Sequence, residues 1–396
     1  MSAPEARRTV QELRASAIRE IANAGMERTD ILPFWFGESD EPTPDFIRTA
    51  AAEALDEKLT FYTQNLGRSW LRSAIAEYSA KLHSIALGED RIAVTGSGVS
   101  AIMLASQVLL SPGDRVVAVT PLWPNITEIP KILGAEVVRH PLVVENGRWR
   151  LDAEALIASL TPDTQLLIVN SPSNPTGWTI TEGDQRAILA HCRRHGIWIL
   201  ADEVYERLIF RPGLDAAPSF LALADADDKL IVVNSFSKSW RMTGWRVGWL
   251  TVPASIANDL AKVIEYNTSC VSDFVQRGAL AAVSDPRGEA VVKEQRQSLL
   301  ASRQRLRDGL TALDGVNLPE TDGAMYAFFR IAGHEDSVAF CKQLIVEEGL
   351  GLAPGIAFGP EGDGYIRWCF AAGIDKIDDG LARMRRFLTR HPARTG

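Results

Sequence analysis

The sequence predicts an α/β protein: a large unit with a mostly parallel sheet covered by helices, and a smaller α+β unit. Three observations carry this. From about Asp90 onward, short β-branched runs recur at RIAVT, RVVAV, QLLIVN, IWIL and KLIVVN, separated by stretches long enough for helices. Strands that read as near-continuous apolar runs belong to parallel sheets buried on both faces. Beyond Asp285 the order changes to a long periodic helix, EAVVKEQRQSLLASRQRLRDGLTAL, followed by two candidate strands, MYAFFRI and YIRWCFAA. Finally, 396 residues, 46% hydrophobic and 23% charged, suffice for more than one core.

Taken from the N-terminus, Val10, Leu13, Ala17, Ile18 and Ile21 recur at helical spacing and predict a first helix ending near Ala24-Gly25. ILPFWFGESDEPTPDF then interrupts regular structure with three prolines and a glycine, as a site loop or a domain-crossing segment would. The expected division is a large domain over residues 45–285 and a small domain made from 1–44 and 286–396. No internal repeat or low-complexity segment is visible.

Composition excludes several function classes. The net charge of −8 leaves no basic excess for a nucleic-acid partner. No window approaches the roughly 18 consecutive apolar residues of a membrane span, and the charged start lacks a signal-type apolar core. No membrane association and a cytoplasmic location are expected. Cys192, Cys270, Cys341 and Cys369 are far apart and read as free thiols. HCRRHG brings Cys192 near His195, but without a complete ligand set it reads as a helix end, so no metal is expected.

Ligands of open α/β sheets bind beyond the carboxyl ends of the strands, and the unusual polar clusters fall there. Gly96-Ser97-Gly98 follows RIAVT and precedes a helical stretch, so it is either a plain turn or an anion cradle at a helix N-terminus. It has neither the dinucleotide nor the P-loop glycine spacing, and Ser97 and Ser100 lack the esterase elbow pattern. Asn170, Asn174, Pro175 and Gly177 follow QLLIVN and suit a turn. Asp202 follows four apolar residues and Tyr205 comes one helical turn later. Asp202 is then a helix N-cap or a buried carboxylate that needs a cationic partner. In NSFSKSWRMTGWRVGWLTVP, Lys238 sits just past a buried strand among Phe236, Trp240 and Trp245, with Gly244 and Gly248 nearby. A lysine there either snorkels to water or has a lowered pKa suited to Schiff-base chemistry.

Together these motifs resemble, in order and from about Phe34 to Phe370, the fold-type I pyridoxal-phosphate aminotransferases of the aspartate aminotransferase family, class I/II. The resemblance implies pyridoxal 5'-phosphate as cofactor and Lys238, in SFSKSWRMTGWRVGW, as the residue that forms the internal aldimine. It implies a phosphate site from Ser97, Gly98, Val99, Ser235, Ser237 and Arg246, with Tyr62 of FYTQNLGRSWLR reaching across a homodimer interface. NPTG implies Asn174 at the pyridine 3-oxygen, and DEVY implies Asp202 at the ring nitrogen and Tyr205 at the 3-oxygen. Trp123 of PLWPNI matches the residue that stacks on the ring. Arg367 of YIRWCFAA matches the clamp for the substrate α-carboxylate, and Gly37 lies on the loop closing over it. The implied reaction moves an amino group from an L-amino acid to a 2-oxo acid in ping-pong half reactions. A C–S β-lyase would use the same residues. A non-enzymatic sensor is disfavoured, since fewer than roughly 35 residues precede the match, too few for a DNA-binding domain. Val99, Asn125 and Ile126 depart from longer polar or aromatic residues common in relatives, so the amino donor stays open.

Overall fold

The structure, a computed structural model, describes residues 4–392; residues 1–3 and 393–396, the two ends of the expected small domain, lie outside it. Seven strands form the large sheet: β1 (Ile92–Thr95), β2 (Arg115–Thr120), β3 (Glu136–Pro141), β4 (Thr164–Asn170), β5 (Trp198–Asp202), β6 (Leu230–Ser235) and β7 (Gly248–Thr251). Their spatial order is β1-β7-β6-β5-β4-β2-β3. Only β7 runs against its neighbours, pairing antiparallel with β1 and β6.

Each apolar run supplies both faces by simple alternation. Val117, Val119, Leu167, Val169, Ile199, Ala201 and Val232 enter one buried cluster, while Val116, Ala118, Leu166, Ile168, Leu200, Ile231 and Val233 enter another on the opposite face. The five runs read from the sequence are therefore all strands. β3 was not among them, because as an edge strand it is half exposed and mixes Arg139 and His140 with valines. Arg139 pairs with Glu361 at 2.8 Å, which ties this edge to the C-terminal part of the chain.

A second sheet contains β8 (Val316–Asn317), β9 (Tyr326–Ile331), β10 (Ala353–Pro354) and β11 (Tyr365–Cys369), in the antiparallel order β8-β9-β11-β10. The 26-residue helix Pro286–Thr311 buries Val292, Gln295, Leu299, Ser302, Leu306 and Leu310, a stripe at three- and four-residue spacing. It packs on Ile374–Arg390, and Ser302 Oγ donates to Ala372 O at 2.8 Å.

The predicted first helix is broken in two, Arg8–Gln11 and Ala17–Gly25. Ser16 adopts an extended conformation and its hydroxyl accepts from Arg19 N at 3.3 Å, so the second piece starts with its own cap, worth about 1 kcal/mol. Ile18, Ile21 and Ala22 are buried, whereas Val10 is 40% exposed, so the periodicity before Ser16 does not mark a core face. The Pro-rich stretch that follows makes one short parallel pairing, Leu32 with Leu350 and Pro33 with Gly351. It then runs to the helix Asp45–Asp56.

Candidate active site

Four strand ends meet at one edge of the large sheet. β1 leads into the helix Gly98–Leu109, β4 ends beside β5 with Asn170 paired to Asp202, and β6 ends at Ser235. Because β7 is antiparallel, its first residue lies at this same edge, with Gly248 opposite both Thr95 and Ser235. A Cβ on Gly248 would sit 2.7 Å from Asn234 O and 3.0 Å from Gly98 N, so glycine is required for β7 to pass so close. A Cβ on Gly244 would meet nothing within 4 Å, so no close approach requires glycine there.

The strand ends open into a cavity of about 650 Å³. Of the residues predicted for the site, all but Ser97 and Tyr62 line it. Ser97 lies just behind, capping the helix by accepting from Ser100 N at 3.0 Å. Tyr62 is 87% exposed on the outer surface.

Lys238 sits in the helical turn Phe236–Ser239, where Ser235 Oγ accepts from Ser237 N at 3.1 Å. Its backbone carbonyl accepts from Gln295 Nε2 at 2.9 Å, which fixes the turn against the long helix. Phe236 and Trp240 point away into a separate aromatic core with Trp249, at ring separations of 5.0 to 5.3 Å. The tryptophans of this segment thus anchor the turn and do not surround the amine. Lys238 Nζ donates to Gly37 O at 2.6 Å and lies 5.6 Å from the centre of the Tyr205 ring. Burial pushes its ammonium down to about 8, against the pull of the Cys369 and Glu38 side chains.

Asp202 is 3% exposed, and burial pushes its carboxyl up to about 7, opposed by the Val204 amide and the Lys238 charge. It is the last residue of β5, and turns, not a helix, follow it. The N-cap reading is therefore corrected: Asp202 Oδ1 accepts from Val204 N at 3.3 Å inside a turn in which Glu206 N and Leu208 N reach back three residues. Asn170 braces this strand end, with Nδ2 donating to Asp202 O at 3.0 Å and Oδ1 accepting from Asn174 N at 2.8 Å. Trp123 N donates to Asn174 O at 3.0 Å, which sets the aromatic residue beside the same loop.

Arg367, from β11, is 2% exposed and enters from the small sheet. It donates to Asn174 Oδ1 at 3.1 Å and to Trp35 O, while its Nε has no partner among the described residues. Arg246 has left-handed backbone at φ 54°, donates to Thr243 O at 2.7 Å and faces the cavity. A non-glycine residue there costs of order 1–3 kcal/mol, as functional positions often do. The cavity thus offers an amine of lowered pKa, a buried carboxyl, a guanidinium, and a helix N-terminus with two serines and an arginine.

Sequence reasoning missed several lining residues. Tyr326, 0% exposed, places its hydroxyl 2.7 Å from that of Tyr205. Ser16, Ile18, Arg19 and Phe36 come from the N-terminal segment, with Arg19 4.8 Å from the Phe36 ring centre. Only the cap at Ser16 had a local sequence signal. Outside the cavity, His83, Glu203 and Glu206 bring possible ligand atoms within 4.8 Å of one another. Both oxygens of Glu203 are already engaged by Ser219 Oγ and Phe220 N, and Glu206 bonds His83 at 2.9 Å.

Comparison with known proteins identifies the family and the fold. The profile of the family described as aminotransferase class I and II matches residues 29–383. A probable N-acetyl-LL-diaminopimelate aminotransferase of Bacillus subtilis is 33% identical over 385 residues, 96% of this chain and 95% of its own. An aspartate aminotransferase of Pyrococcus horikoshii is 31% identical, with 95% of each chain covered. The structure of the Thermus thermophilus aspartate aminotransferase with maleate superposes with a TM-score of 0.89 at 28% identity, covering 97% of this chain and 100% of that one.

Proposed function

We propose, from the premise that this chain belongs to the class I and II aminotransferase family, that it moves the amino group of an L-amino acid to a 2-oxo acid using pyridoxal 5'-phosphate. The observation that carries this is the meeting of Lys238, Asp202 and Arg367 on the lining of one cavity, an amine, a carboxyl with a single hydrogen bond from protein, and a guanidinium whose Nε has no partner among the described residues.

The donor set fits the cofactor part by part. The N-terminus of Gly98–Leu109, capped from behind by Ser97, offers with Val99, Ser235, Ser237 and Arg246 N–H, hydroxyl and guanidinium donors suited to a phosphate. A buried carboxyl at Asp202 gains from a cationic ring N–H, and Trp123 offers a flat face beside Asn174. Asn174 and Tyr205 carry donors for a ring oxygen. When bound, pyridoxal phosphate supplies a carbonyl carbon for amine exchange and a protonated ring that accepts the electron pair left at Cα.

The chain's own residues do the rest. Lys238, with its pKa lowered by burial to about 8, has an accessible neutral form at working pH and takes the proton from the substrate Cα. Asp202 holds the proton on the ring nitrogen. Arg367 presents its fork to the α-carboxylate and so fixes the direction of the Cα–H bond. Gly37, whose carbonyl receives Lys238 Nζ, lies on the loop at the mouth.

In this reading residues 45–285 form the cofactor-binding domain, and 1–44 with 286–396 form the domain that covers the substrate. The working form is a homodimer in which each Tyr62 hydroxyl serves the partner's phosphate, consistent with its 87% exposure in the single chain. Borohydride reduction of the cofactor-loaded protein and peptide mapping test the assignment; a pyridoxyl label on any lysine other than Lys238 would refute it. A panel of amino acids, each followed by loss of the bound-cofactor absorbance, identifies the donor.

A further inference from the structure

Tyr326 belongs to no motif, yet it touches three groups of the proposed site. It opens β9 opposite Cys369, and Phe328 two positions later faces Arg367, so Tyr326 and Arg367 are diagonal neighbours on one face of the small sheet. The Arg367 guanidinium carbon lies 4.7 Å from the centre of the Tyr326 ring and 5.0 Å from that of Phe358. At the far end of the ring, the Tyr326 hydroxyl is 2.7 Å from the Tyr205 hydroxyl. It also abuts Gly37 so closely that a Cβ there would overlap it, and Gly37 O is the acceptor for Lys238 Nζ.

Both phenols are buried, and burial raises the pKa of each, so both stay neutral with one proton apiece. Among the described residues, neither hydroxyl has another hydrogen-bond partner. In such a pair one oxygen donates and the other accepts. Tyr205 can give its own proton to an acceptor in the cavity only if Tyr326 is the donor within the pair.

We propose that Tyr326 is a positioning residue for transamination: its hydroxyl donates to Tyr205, freeing the Tyr205 proton for the cofactor's ring oxygen, and its ring face holds Arg367 ready for the substrate carboxylate. This rests on the functional reading above. Uptake of pyridoxal phosphate by the unaltered chain, followed by absorbance, checks that reading first; no uptake would overturn it and the proposal together.

With uptake established, Tyr326→Phe removes the hydroxyl and keeps the ring. A weaker donor stabilises the ionised ring oxygen less, so the pH midpoint of the bound-cofactor absorbance should rise by about half a pH unit or more. The affinity for propionate, a plain carboxylate probe, should be unchanged. In a Tyr205→Phe background the same substitution should shift the midpoint no further, because the group it acts through is gone. Tyr326→Leu removes the ring face and should weaken propionate binding roughly two- to thirtyfold. Tyr326→Met makes the same measurement if the leucine variant does not fold. An unmoved midpoint in Tyr326→Phe, an undiminished shift in the Tyr205→Phe background, or unchanged propionate binding without the ring would each overturn the proposal.

Discussion

Asp202 and Glu203 are adjacent in the chain, each is 3% exposed, and burial pushes each carboxyl up to about 7. Their surroundings differ completely. Asp202 has one hydrogen bond from protein and opens into the cavity. Glu203 has both oxygens engaged, by Ser219 Oγ at 2.6 Å and Phe220 N at 3.0 Å, and belongs to a closed cluster. In that cluster Glu206 bonds His83, and Arg207 next to it bonds Glu289 and Tyr78 at 2.7 to 2.8 Å. One region satisfies its polar groups internally and so holds the fold. The other brings to one cavity a carboxyl with a single hydrogen bond from protein, a guanidinium nitrogen with no partner among the described residues, and an amine bonded only to a main-chain oxygen. Depth of burial does not separate the two roles, but completeness of pairing does.

Several substitutions would break or sharpen this contrast. The largest effect is expected from Lys238→Ala, which removes the amine proposed to transfer the proton and should lower turnover by at least about 10²–10⁴-fold in a transamination assay, with the fold intact by circular dichroism. Next is the adjacent pair. Asp202→Asn keeps the shape and removes the charge, so the single-turnover rate should fall by about 10²–10³-fold at full cofactor occupancy. Glu203→Gln should leave that rate within a few-fold and instead cost about 1 kcal/mol in denaturant unfolding, measured near pH 5. Equal loss of rate in the two variants would remove the distinction between the regions. Arg367→Lys should cost about 10- to 100-fold in kcat/KM, since an ammonium cannot present two parallel N–H groups to a carboxylate.

The smallest expected effect is a pH dependence. Glu203 has a folded-state pKa of about 7, raised from an ordinary value of 4.5, so the folded state favours its protonated form. Its contribution is fully present below about 4.5 and is lost as pH rises through about 7. His83, which burial alone would lower but its bond to Glu206 and the Glu206 and Glu203 charges raise above its ordinary 6.5, has the same sign, with loss above 6.5. The surface acids held low by hydrogen-bonding partners, Asp285 and Glu347 at about 2, act in the opposite direction and only below the ordinary carboxylate range. Between pH 5 and 8 the melting temperature of wild type should therefore fall relative to Glu203→Gln. A constant difference across that range would show that Glu203 does not titrate there.

Much of the large sheet was legible because buried parallel strands need apolar residues on both faces, which leaves runs such as QLLIVN. The site motifs were legible for a related reason, since Gly98, Asn174, Asp202 and Lys238 each follow closely on such a run. What escaped was set by tertiary contacts. β3 is an edge with one face half exposed, and β7 lies inside a motif whose charged residues mask its direction. DEVYE has helix-like spacing, yet its polar side chains point to different partners and the backbone closes as turns. Tyr326 lies 121 residues from Tyr205, and no local pattern announces that two hydroxyls will meet.

The segment Trp35–Gly37 contributes to the site through its main chain, Trp35 O accepting from Arg367 and Gly37 O from Lys238. A carbonyl oxygen is the same whatever side chain its residue carries. A substitution scan that scores chemical change will pass over Trp35 as a core aromatic and Gly37 as a loop residue, and miss that both present acceptors to cavity-lining cations, Arg367 and Lys238. These acceptors respond to displacement, not replacement. Gly37→Ala, by forcing the backbone off the Tyr326 hydroxyl, moves an oxygen that no side-chain swap can delete.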